Sequence, residues 1–144
     1  MLLSVLQEAV EGPSGSWTYF IDKRPDAGVV GALSTLNAAE ASRPRGGTSI
    51  AAHDHHLAFA LEASTASIEG DQTPRDWKKS WLVTTVDDAA WAKLVEQLQR
   101  EYQKLRQAIQ SRAGSSEEAF GEAVGAIAHI AYHLGSIRQK IVSQ

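Results

Sequence analysis

Apolar residues recur at three- and four-residue spacing through most of the chain, the period of amphipathic α-helices. Leu2, Leu3, Leu6 and Val10 fall on one stripe and predict a helix over 2–11, which the breakers Gly12-Pro13-Ser14-Gly15 end. Trp17-Thr18-Tyr19-Phe20-Ile21 is aromatic and β-branched but short, and reads as a loop covering the core. Val29, Val30, Leu33 and Leu36 predict a helical piece over 27–39 that completes the first rod, stopped by the run from Glu40 to Gly47. Thr48 or Ser49 can cap the next helix, which carries Ile50, Leu57, Leu61 and Ile68 on one stripe and ends at Glu69-Gly70-Asp71. After a connection over 70–86, Asp87 or Thr85 caps a helix running to about Arg112. Its apolar stripe is Trp91, Leu94, Val95, Leu98, Tyr102, Leu105 and Ile109, and its charged residues read as a solvated face. Gly114 breaks the chain, and Ser115 to Glu118 has capping-box spacing for a last helix to Val142. That helix is expected to turn Phe120, Val124, Ile127, Ala131, Leu134, Ile137 and Ile141 inward. Long helices without a convincing strand predict an all-α fold, an up-and-down four-helix bundle over residues 1–144.

Composition narrows the functional classes. A chain of 144 residues with 43% hydrophobic and 22% charged residues suits one globular domain. Its net charge of −3 argues against a nucleic-acid partner. There is no cysteine, which excludes disulfides, thiolate metal sites and a nucleophilic cysteine; any thiol chemistry must bring its thiol from outside. The first residues lack a basic region, and no apolar run approaches membrane-spanning length, so the expected setting is cytoplasmic, with no membrane partner.

The five histidines carry the candidate chemistry. His129 and His133 stand four apart, about 40° from each other on one helical face, so their imidazoles can converge on one ion. Both lie in an uncharged stretch from Val124 to Leu134, where burying imidazoles without partners would cost roughly 1–3 kcal/mol each. The remaining three sit in His53-Asp54-His55-His56. On a wheel measured from His53, Leu57 falls at about +40°, His56 at about −60° and His55 at about 200°. His53 and His56 therefore face or edge the core, while His55 is expected to be solvated. His129, His133 and either His56 or His53 would give three nitrogen ligands and an open fourth position, the pattern of catalytic rather than structural sites. A zincin needs Glu where Ile130 stands, a ferritin-like centre needs Glu-x-x-His carboxylates where Ala126 and Ile130 stand, and a hemerythrin-like centre needs more histidines plus bridging carboxylates that Asp54 and Glu122 do not supply at the right helical phase. Trp77 and Trp81 read either as a plug at a bundle end or as a pocket wall.

Thr48-Ser49-Ile50-Ala51-Ala52-His53 through His56-Leu57, the segment Asp76-Trp77-Lys78-Lys79-Ser80-Trp81, and His129-x-x-x-His133-x-x-x-Ile137-Arg138-Gln139 together resemble the DinB-like (YfiT-like) superfamily of bacterial four-helix bundles. The resemblance spans nearly the whole chain. It implies a divalent ion, zinc or nickel, held by one histidine of the second helix and two of the last. Carried over, the ligands are His56, His129 and His133, with His53 lining the pocket or exchanging as ligand. It also implies a small-molecule substrate, and either a metal-dependent enzyme or a non-catalytic stress-response bundle. The enzyme would be a hydrolase or a transferase that activates a low-molecular-weight thiol cosubstrate. A homodimer is expected too, with Trp17, Tyr19 or Trp77 at the interface. The catalytic residues are not identified, because Asp54, Glu122 and Tyr132 are not clearly placed as a general base.

Overall fold

The computed structural model describes residues 1–142. They form six α-helices: α1 (Leu2–Glu11), α2 (Val29–Ser34), α3 (Ala38–Ser42), α4 (Ile50–Ile68), α5 (Asp88–Arg112) and α6 (Glu117–Val142). A 3₁₀ turn, Trp77–Trp81, lies in the connection between α4 and α5. Among the described residues there is no strand, only the isolated bridge between Arg45 and Thr48. No helix is long and apolar enough to cross a membrane among them.

The caps explain most boundaries. Ser49 accepts the Ala52 N–H at 3.1 Å to start α4, and Asp87 accepts the Ala90 N–H at 2.7 Å to start α5. At α6 the cap lies one residue later than the spacing suggested: Ser116 accepts the Ala119 N–H, while Ser115 donates to the Arg112 carbonyl. The expected single helix over 27–39 is two pieces. Asn37 and Glu40 form a reciprocal capping box that begins α3, so the chain breaks after Ser34 and is helical again through Ser42.

α4 packs along α5 and α6, while α1 packs against both α5 and α6. Leu6, Val10, Leu33, Ile50, Leu57, Leu61, Leu98, Leu105, Ile130 and Ile137 are enclosed between them. Phe120 and Val124, expected inward, are 51% and 42% exposed. The small residues Ala119, Ala123 and Ala126 take the buried face instead, which lets the first turns of α6 lie close to its neighbours. The segment Trp17–Ile21 is a loop, as expected, and its anchor is Glu8. That buried carboxylate accepts the N–H groups of Tyr19, Phe20 and Ile21 at 2.7, 2.8 and 3.1 Å. Burial opposes its charge, but the three donors hold its pKa below the ordinary value.

Candidate metal centre

α4 and α6 pack so that the histidines of each face those of the other. The pair on α6 is set by the four-residue spacing, and the pair on α4 by a three-residue spacing that keeps His53 and His56 on one side. Nε2 of His129 lies 2.9 Å from Nε2 of His133 and 3.1 Å from Nε2 of His56. Ligand nitrogens of these three residues all lie within 4.8 Å of one another. His53 does not join the trio. Its Nδ1 approaches Nδ1 of His133 at 2.8 Å, on the far side of that ring from the cluster.

The wheel brought His53 nearer the core than His56, yet His56 reaches the centre. Both are 6% exposed, so burial does not discriminate them; the direction of the facing helix does. His133 is also buried, whereas His129 is half-buried, so only one of the α6 imidazoles is fully withdrawn from water. His55, expected to be solvated, is half-buried instead, with Nδ1 2.7 Å from the Ser80 carbonyl oxygen. The 3₁₀ turn comes back over α4 and captures it.

The same turn supplies the cover. Trp81 lies nearly flat on His56, with ring centroids 4.1 Å apart and planes at 17°, and meets His53 edge-on at 5.5 Å. Trp77 is 6.1 Å from His56 and packs edge-on against Phe59. The two tryptophans therefore wall the histidine centre. Ser80, between them, is fully buried and places Oγ 2.7 Å from Nδ1 of His56. Sequence reading passed over Ser80, because a serine in a charged connection carries no signal of its own.

Burial is the main influence on protonation here. It lowers the pKa of His53 and His56 to about 4 and that of His133 to about 3, with neighbouring positive charge adding to the effect. His129 is lowered for the same reason. Neutral imidazole is the form that donates a lone pair to a metal, so the pocket holds these rings ready to bind one.

The donor set fits such an ion. Nitrogen ligands at about 2.0–2.1 Å in tetrahedral geometry stand roughly 3.3 Å apart, so the two separations from His129, 2.9 and 3.1 Å, need to open by only a few tenths of an ångström, and the remaining pair lies within 4.8 Å.

The possible proton-transfer groups are placed less favourably. Asp54 is fully buried, neither oxygen has a hydrogen-bond partner among the described residues, and burial raises its pKa to about 7. Glu122 accepts hydrogen bonds from Ser64 and Ser67 two turns away along α6. Tyr132 meets His133 edge-on at 5.2 Å but is 71% exposed.

Comparison with family models, with curated proteins and with solved structures matches none of them to this chain. The histidine trio therefore carries the functional reading by itself.

Proposed function

We propose that the protein holds one divalent transition-metal ion, zinc or nickel, through Nε2 of His56, His129 and His133, and that it is a metal-dependent transferase or hydrolase. The carrying observation is that Nε2 of His129 lies at hydrogen-bond separation from both Nε2 of His56 and Nε2 of His133, with ligand nitrogens of all three within 4.8 Å, in surroundings that disfavour their protonated forms. Three neutral nitrogen ligands leave a coordination position for a small molecule. A divalent ion there would supply Lewis acidity, lowering the pKa of a water or of a low-molecular-weight thiol cosubstrate. Within this reading the chain's own residues orient the ligands and exclude water: Trp81 and Trp77 wall the site, and His53 sits behind His133.

The architecture belongs to the same proposal. α1, α4, α5 and α6 would be the rods of a DinB-like four-helix bundle, with α2 and α3 as an insertion between the first two. Trp17, Tyr19 and Trp77 are 66%, 42% and 46% exposed, and in this reading they serve a homodimer interface; light scattering at high concentration giving a monomer mass would remove that part.

A second reading, a metal-binding bundle without catalysis, is favoured by one observation: neither carboxylate is presented to the trio, since Asp54 is sealed in the core and Glu122 is bonded to serines. Metal analysis of wild type and of His56→Ala, His129→Ala and His133→Ala tests the site. One ion per chain in the wild type and loss in each variant is expected, and full retention in His129→Ala or His133→Ala would refute it. Retention in His56→Ala with loss in His53→Ala would move the third ligand to His53. Screening the loaded protein with several bacterial thiols and an electrophile separates enzyme from binder.

A further inference from the structure

We propose that Ser80 is a positioning residue of the histidine centre, one that fixes the tautomer of His56; this rests on the metal reading above. Ser80 Oγ has two partners, the Trp77 carbonyl oxygen and Nδ1 of His56, each at 2.7 Å. The carbonyl can only accept, so the single hydroxyl proton is donated to it. Oγ must then accept from His56, and the imidazole proton sits on Nδ1. Nε2 of His56 is left with a bare lone pair directed at His129. The opposite tautomer would keep one of the two buried hydrogen bonds instead of both.

The serine cannot drift from this place. Its residue is fully buried, and its own carbonyl oxygen receives Nδ1 of His55 at 2.7 Å, so successive residues of α4 grip it from two sides. The connection between α4 and α5 thus takes part in the centre although it contributes no ligand.

The arrangement then dictates the other rings. With Nε2 of His56 bare, the 3.1 Å contact to His129 needs a proton on Nε2 of His129, and the same proton serves the 2.9 Å contact to His133. Nε2 of His133 is accordingly also bare, its proton is on Nδ1, and Nδ1 of His53 accepts it across 2.8 Å. His56 and His133 already have the tautomer a ligand needs. Only His129 must move its proton from Nε2 to Nδ1, and it is the most exposed of the three.

Long-range proton–nitrogen correlation on ¹⁵N-labelled, chelator-treated protein at neutral pH reads these protons directly. The expected result is His56 and His133 protonated at Nδ1 and His129 at Nε2; His56 protonated at Nε2 overturns the proposal without any variant. In Ser80→Ala the His56 signals should become those of mixed tautomers. Its affinity for Co²⁺, by competition with a chelator, should fall roughly 10- to 100-fold, the usual effect of removing an outer partner of a ligating histidine. The visible Co²⁺ absorption band should shift with it. Ser80→Thr, which keeps the hydroxyl, should restore tautomer, band and affinity. Wild-type Co²⁺ affinity in a folded Ser80→Ala overturns the role of Ser80 while leaving the metal site standing. A wild-type protein that takes up no Co²⁺, even with the proton on Nδ1 of His56, overturns the metal reading and the role with it.

Discussion

Lowering the pH from 7 to 5 should strongly destabilise the chelator-treated protein, because its buried histidines resist protons that the unfolded chain accepts. His53, His56 and His133 have folded pKa values of about 4, 4 and 3, set mainly by burial. An unfolded histidine titrates near ~6.5. Between these limits the unfolded state binds up to three more protons, so this stabilisation is fully present above about pH 6.5 and is lost as the pH falls. Asp54 acts in the opposite sense. Burial raises its pKa from 3.8 to about 7, so the native state keeps a proton that the unfolded chain releases, and stability is lost there as the pH rises through this range. Three protons against one leave two, each changing stability by about 1.36 kcal/mol per pH unit, for a steepest slope of about 3 kcal/mol per pH unit. Only part of each titration falls between pH 5 and 7, so the mean slope is about half that, a loss of about 3 kcal/mol over the interval. This is a large share of the 5–15 kcal/mol of an ordinary domain. Urea unfolding followed by circular dichroism at pH 7, 6 and 5 measures it directly. Asp54→Asn should steepen the slope, since the opposing proton is removed. A free energy of unfolding unchanged within ~0.5 kcal/mol between pH 7 and 5 would refute the assigned burial of these rings.

Glu8→Gln should destabilise the fold by about 2–4 kcal/mol, because one neutral acceptor replaces a carboxylate that serves three backbone N–H groups; equal urea midpoints would show that the loop does not depend on it. Gly28→Ala should cost more than about 2 kcal/mol, since its Cβ would lie 2.4 Å from the Gly12 nitrogen and 2.7 Å from the Val10 carbonyl oxygen, backbone atoms that cannot step aside; wild-type stability would contradict that close approach. Excess zinc at pH 7 should raise the melting temperature by mass action, with about 2.7 kcal/mol gained at a hundredfold excess over Kd. That gain should shrink near pH 4.5 and vanish in the His129→Ala, His133→Ala double variant, and an equal shift in both proteins at neutral pH would mark the histidines as ordinary core residues.

How much of this was legible in the sequence depended on how local each signal was. The pairing of His129 with His133 follows from helical spacing alone, and so do the starts of α4 and α5 at Ser49 and Asp87. The helical wheel misjudged Phe120 and Val124 because it weighs apolarity, whereas the close approach of α6 to its neighbours selects Ala119, Ala123 and Ala126. The break between α2 and α3 did have a local signal, Asn37 three residues before Glu40, hidden inside an apolar stripe that seemed to continue. The choice of His56 over His53 had none: it depends on where α6 lies and on which ring nitrogen faces it. Glu8 and Ser80 are further from reach, since the backbone donors to Glu8 lie at least 11 residues away and His56 lies 24 residues from Ser80, and they meet only when the chain has folded.

The aromatic cover offers a direct optical test of where an ion sits. Of the four tryptophans, Trp81 and Trp77 contact the histidine rings, Trp81 at 4.1 Å from His56 and 5.9 Å from His133, and Trp77 at 6.1 Å from His56. Trp91 is elsewhere, donating Nε1–H to the Leu36 carbonyl at 3.1 Å, and Trp17 packs on Tyr19 in the loop held by Glu8. Quenching of an excited indole by a paramagnetic ion falls steeply with distance, so Co²⁺ bound by His56, His129 and His133 should darken Trp81 most, Trp77 next and the other two least. Titration of the wild type should therefore remove part of the emission and then saturate at one ion per chain. Trp81→Phe should lose most of that quench, and Trp77→Phe a smaller share, with binding stoichiometry unchanged in both. If saturating Co²⁺ quenches Trp81→Phe and Trp77→Phe by the same fraction as the wild type, the ion is bound away from the trio, whatever its stoichiometry.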